Sequence, residues 1–155
     1  MRFTVSSEEL KNFRTLGYVE LEDLLTEKES ASLITAINKV HKNTPGYSQE
    51  HLYRSIPLIG TIARKQGWGQ IVYEFFYKKP LSIEYDKFYP GPPTDIEAIE
   101  EDSCGLLLNL KTRKGCFFKQ FPTTHSLYNG EGCCYFYLIL TSKHLPERLN
   151  PIIFR

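Results

Sequence analysis

Two apolar runs, Gly105-Leu106-Leu107-Leu108-Asn109-Leu110 and Cys133-Cys134-Tyr135-Phe136-Tyr137-Leu138-Ile139-Leu140, constrain this chain more than any other feature. Neither alternates apolar with polar residues. A strand with one wet face would alternate, so each run predicts a core strand covered on both faces, as in a sheet packed by helices. Between them, Lys111-Thr112-Arg113-Lys114-Gly115 reads as a polar turn with a glycine, after which Cys116, Phe117 and Phe118 resume a short strand.

The first half of the chain is patterned differently. Ser6 followed by Glu9 is a capping box, and Val5 with Leu10 fits a hydrophobic staple, so a helix is predicted from Ser7 to a C-cap at Gly17. Tyr18 to Glu22 alternates as a short strand. Thr26 and Glu29 form a second capping signature for a helix running to about His41, with Leu33, Ile34, Ile37 and Val40 as its buried stripe. Asn43-Thr44-Pro45-Gly46 ends it. Residues 47–53 read as irregular, and Pro57 sits in the first turn of a helix carrying Leu58, Ile59 and Ile62. Ile71 to Tyr77 fits either a buried helix or a strand, and its length does not decide between them. Leu81 to Tyr89 alternates as the first strand of the main sheet, and Pro90-Gly91-Pro92-Pro93 must be a loop.

Helices first and then strands with short turns is the order of an α+β chain, with helices over one face of an antiparallel sheet or jelly roll. A length of 155 residues with 41% hydrophobic composition predicts one domain over 1–155, mainly helical in 1–77 and mainly β in 80–155. Lys and Arg number 19 against 18 for Asp and Glu, so no global field draws the chain to nucleic acid or an anionic membrane. With no apolar run longer than a strand and no signal-peptide core, a cytoplasmic protein without membrane contact is expected.

Cys104, Cys116, Cys133 and Cys134 lack any C-x-x-C spacing and lie in apolar contexts, which predicts reduced core thiols rather than zinc ligands. Cys133 and Cys134 point to opposite faces of a strand. The acidic segment Asp95, Glu97, Glu100, Glu101 and Asp102 is a solvated turn or a source of one hard-metal carboxylate, and it lacks the spacing of an EF-hand. Four scattered histidines give no hydrolase triad, and no glycine-rich phosphate loop is present.

The opening Glu8-Glu9-Leu10-Lys11-Asn12-Phe13-Arg14-Thr15-Leu16-Gly17-Tyr18-Val19, then Leu24-Leu25-Thr26-Glu27-Lys28-Glu29 and the Leu33 to Val40 helix, resembles the start of phytanoyl-CoA dioxygenase-like proteins. These belong to the Fe(II)/2-oxoglutarate-dependent oxygenase superfamily. The resemblance implies a double-stranded β-helix, a squashed jelly-roll barrel around a metal centre with the N-terminal helices packed on one sheet. It also implies Fe(II) and 2-oxoglutarate as cofactors, the metal being held by two histidines and one carboxylate.

The first ligand pair of that superfamily is H-x-D or H-x-E, and this sequence has none: His41, His51, His125 and His144 are each followed two residues later by Asn43, Tyr53, Leu127 and Pro146. The acidic segment offers carboxylates without a histidine. In the family a late histidine is followed about eleven residues on by an arginine that grips the far carboxylate of 2-oxoglutarate. His144 and Arg155 have that spacing. The resemblance therefore makes His144, with Asp95 or Asp102, the candidate metal ligands and Arg155 the candidate 2-oxoglutarate residue.

The missing pair predicts a non-catalytic member that binds a small molecule or a protein partner, or acts as a regulator. One alternative is an active dioxygenase with a non-standard ligand set. Another is a divalent-metal-dependent DNA-binding regulator, in which Lys111, Arg113, Lys114 and Lys119 meet phosphates beside Phe117, Phe118 and Phe121.

Overall fold

The computed structural model describes residues 5–43, 49–50, 52, 56–63, 73–75, 81–91, 93, 96, 99, 103–121, 134–141 and 153–154. Helix α1 (Ser7–Leu16) starts on the predicted capping box: the Glu9 amide donates to Ser6 Oγ at 3.0 Å, and the Ser6 amide donates to the Glu9 carboxylate. It ends where Gly17 turns left-handed at φ 82°, a conformation that suits glycine. Strand β1 (Tyr18–Leu21) follows at once. Helix α2 (Glu27–Asn43) opens on the second box, in which the Thr26 and Glu29 amides donate to each other's side chains at 3.0 and 3.1 Å. Its Leu33 and Ile37 are fully buried. The short helix α3 (Pro57–Ala63) begins at the proline, as predicted. The ambiguous run resolves as helical backbone at Tyr73, Glu74 and Phe75.

Five longer or shorter strands come next, in addition to the two-residue β2 (Gln49–Glu50): β3 (Leu81–Tyr89), β4 (Ser103–Asn109), β5 (Gly115–Phe118), β6 (Tyr135–Thr141) and β7 (Ile153–Phe154). All pair antiparallel in one seven-stranded sheet of order β1-β5-β4-β6-β3-β2, with β7 also on β3. The two apolar runs occupy its middle. Every residue of β4 is buried, because β5 and β6 close its edges and separate clusters close its faces. On one face, Leu106, Leu108, Phe117, Leu138 and Leu140 meet Phe13 of α1, Leu33 and Ile37 of α2, Ile59 of α3 and Phe75. Phe13, Phe75 and Phe117 form a triangle of rings with centroids 5.0 to 5.4 Å apart.

Several expectations need correction. The segment read as irregular contains β2, which, like β7, is a two-residue ladder on β3, too short to leave a periodic signal. The left-handed residue in the β4–β5 turn is Arg113 at φ 64°, not the glycine. Gly115 instead lies in β5, where an added Cβ would run into Leu24 Cδ1 and lie 2.9 Å from Leu108 Cδ2. The turn is held by Asn109 Oδ1, which accepts the amides of Lys111 and Thr112 at 3.0 and 3.1 Å. The described strands form one antiparallel sheet. What stands is a mixed fold of helices on an antiparallel sheet. No described helix is long and apolar enough to cross a membrane.

Candidate functional site

The strand registers sort the sheet's side chains into two chemically distinct faces. Among the described side chains, the sheet face under the helices is apolar except for Asp86, fully buried, whose Oδ1 accepts the Leu52 amide at 2.6 Å. The opposite face is built from tyrosines and carries a lysine. Pairing places Glu20, Cys116, Leu107, Tyr137, Lys87 and Glu50 in one row across β1, β5, β4, β6, β3 and β2. In the next row Asn109, Tyr135 and Tyr89 are neighbours. Tyr85 and Tyr89 flank Lys87 on its own strand, since alternate strand residues share a face.

Lys87 is only 8% exposed, and its Nζ lies over the Tyr89 ring, 5.0 Å from the centroid. Such a contact contributes on the order of 0.5–2 kcal/mol, the upper end when desolvated. Tyr135 and Tyr137 are buried beside it, and Phe118 stacks on Tyr137 at 5.9 Å. The sequence signal for this cluster is the alternation Tyr85-x-Lys87-x-Tyr89 within a predicted strand.

A second polar group lies at the far end of the same sheet. The β3–β6 register slips between Ile83 and Tyr85, leaving Glu84 as the extra residue. Bulges of this kind re-aim a side chain. Ser103 Oγ donates to Glu84 Oε2 at 3.4 Å, and Lys119 Nζ donates to the Ser103 carbonyl at 2.8 Å.

Cys104 and Cys116 behave as core residues, Cys134 is half-buried, and Cys133 lies outside the described residues. Cys104 faces the helices and Cys116 the tyrosine side, and both are free thiols. Burial pushes the Cys104 thiol far up, and burial followed by the Glu20 carboxylate pushes Cys116 up to about 12. Neither is a nucleophile near neutrality.

His144, Asp95, Asp102 and Arg155 lie outside the described residues, as do His51 and His125; His41 is placed in α2 by its backbone alone. Among the described residues no three His, Cys, Asp or Glu side chains converge as metal ligands. The described polar groups on the tyrosine face are an ammonium, phenols, hydroxyls, the Asn109 amide, the Cys116 thiol and the Glu20 carboxylate, with no imidazole among them, a set that does not fit an iron centre held by two imidazoles and a carboxylate.

The basic patch is divided. Arg113 reaches Asp23 at 3.7 Å and Glu27 at 3.9 Å, and Lys114 reaches Glu22 at 3.7 Å, so acids of the β1–α2 connection face the cations of the turn. Lys119 sits at the other end of the hairpin. Phe117, Phe118 and Phe121 are buried, which corrects the expectation of an aromatic surface: these rings pack the core and offer no platform for bases.

By sequence, the chain matches no family profile and no curated protein. By structure it is similar to the protein CT296 from Chlamydia trachomatis, at 21% identity and a TM-score of 0.74 over 92% of this chain and 99% of that one. It is also similar to SnoN, a non-heme alpha ketoglutarate dependent epimerase from nogalamycin biosynthesis, at 8% identity and a TM-score of 0.69 over 86% and 79% of the two chains. A third likeness is to HygX from Streptomyces hygroscopicus, solved with nickel and 2-oxoglutarate bound, at 9% identity and a TM-score of 0.64 over 90% and 88%. At these identities the likeness is one of fold alone.

Proposed function

We propose that the chain, residues 1–155, is a single-domain double-stranded β-helix protein of oxygenase type that does not hydroxylate, and that it acts by binding a small molecule on the tyrosine-lined side of its sheet. The absent H-x-D pair motivates the non-catalytic reading. The observation that carries the binding reading is the contrast between the two faces. The side packed by helices is apolar with one matched carboxylate, whereas the other holds a buried lysine among phenols.

Calorimetric titration with Fe(II), with and without 2-oxoglutarate, tests the reading together with an assay for succinate. Weak Fe(II) binding indifferent to 2-oxoglutarate, and no succinate, is expected. Sub-micromolar Fe(II) binding that tightens with 2-oxoglutarate, with succinate formation abolished by His144→Ala, would overturn it in favour of an active dioxygenase using His144, Asp95 or Asp102, and Arg155.

A further inference from the structure

We infer that Arg113 is the pin of a salt-sensitive clasp that seats the β1–α2 connection, residues 22–26, on the β4–β5 turn, and that this connection lifts off by local opening when the pin is withdrawn. Three observations carry it. First, among the described residues two that are not glycine have left-handed backbones, Asp23 at φ 53° and Arg113 at φ 64°, and their side chains meet, with Arg113 Nη2 3.7 Å from Asp23 Oδ1. Such a backbone is unfavourable for a residue with a Cβ, less so for aspartate, and it persists where the surroundings hold it.

Second, the hairpin does not place its glycine at the left-handed position. Gly115 stands two residues further on, where its missing Cβ leaves room for Leu24 Cδ1. An arginine where the backbone favours glycine is explained by its side chain: the guanidinium donates to the Leu25 carbonyl at 3.4 Å and reaches Asp23 and, at 3.9 Å, Glu27. Third, the backbone joins the same two segments, since the Leu24 amide donates to the Arg113 carbonyl at 3.1 Å, and Lys114 reaches Glu22 at 3.7 Å beside it. Leu24 and Leu25 are buried at this closure, while the three acids are exposed. The seat is therefore apolar and indifferent to salt, whereas the pin is ionic and screened by it.

Native-state amide exchange of the full-length protein tests this. Leu24 reports the connection; Asn109, which donates to the Lys114 carbonyl at 2.9 Å, reports the turn; and Leu110, which donates to the Cys134 carbonyl at 2.8 Å, reports the sheet. Arg113→Gly relieves the backbone but withdraws the pin, so the Leu24 amide should exchange roughly three- to tenfold faster while Asn109 and Leu110 keep or gain protection. Raising sodium chloride from about 0.05 M to about 0.5 M should speed Leu24 relative to Leu110 about twofold in the wild-type chain and leave that ratio unchanged in Arg113→Gly. Asp23→Asn and Glu27→Gln, which leave the turn residues in place, should each give part of the same effect, and they serve if Arg113→Gly does not fold. An unchanged Leu24 rate in all three variants, equal acceleration of the three amides, or a salt response that survives Arg113→Gly would overturn the inference.

Discussion

Gly105→Ala is the sharpest test of how the tyrosine face is packed. A Cβ built on Gly105 would lie 2.5, 2.8 and 2.9 Å from Cζ, Cε2 and Cε1 of Phe118, closer than carbon atoms approach. The ring cannot swing away, since it is fully buried, 4.9 Å from the Phe121 ring and 5.9 Å from Tyr137. Overpacking of this kind costs about 1–3 kcal/mol. Replacing a strand glycine by alanine returns roughly 0.5–1 kcal/mol of backbone entropy. The net loss is therefore about 1–2 kcal/mol, which lowers the urea midpoint by roughly 0.5–1 M at an ordinary slope for a small protein. Equilibrium unfolding followed by circular dichroism measures it. In a Phe118→Leu background the obstacle is smaller, so the same alanine should be neutral or stabilising, with a coupling of about 1 kcal/mol or more between the two sites. A midpoint unchanged or raised by Gly105→Ala alone, or an equal loss in both backgrounds, would refute the packing argument.

Other outcomes follow from the same structure. Asp86→Ala should destabilise by about 1–3 kcal/mol, because the buried Leu52 amide loses its acceptor, while Asp86→Asn should lose less; thermal melts compare them. Thr26→Ala removes an N-cap from α2 and should lower stability by about 1 kcal/mol in urea titration, additively with Ser6→Ala on α1. Cys116 is raised from its ordinary 9.0 to about 12, so between these values the unfolded chain sheds a proton that the native chain keeps, and stability falls as pH rises. The slope from this thiol is up to about 1.4 kcal/mol per pH unit, and unfolding curves at stepped alkaline pH should show a shallower decline in Cys116→Ala.

The local grammar of the fold is legible in the sequence wherever one segment carries its own signal. Ser6, Glu9, Thr26 and Glu29 announce two helix starts to the residue, and Leu81 to Tyr89 forms a strand over the range its alternation predicts. Reading fails where the structure depends on a distant partner. Gln49 and Glu50 have no strand character of their own and become β2 by hydrogen bonding to Lys87 and Phe88. Gly115 reads as a turn residue, but its smallness serves Leu24, ninety-one positions earlier in the chain. The phenylalanines near Lys119 read as a surface because charges surround them in sequence, whereas strand alternation turns them to the two faces of a covered sheet. Lys87 went unnoticed for a related reason. One lysine in a strand is ordinary, and only the cross-strand register sets it beside Tyr137.

The position of β1 has a consequence for how the chain is made. Tyr18 pairs with Phe118, a hundred residues later, and nothing nearer in sequence completes that ladder. As the polypeptide leaves the ribosome, α1 and β1 emerge before the hairpin of β4 and β5 and wait for it before Phe13 and Val19 meet Phe117. Closing so wide a loop is slow compared with forming a helix. Nascent chains arrested before Gly115 should therefore keep their first twenty residues open to protease, and chains arrested far enough beyond Phe118 to free it from the exit tunnel should begin to shield them.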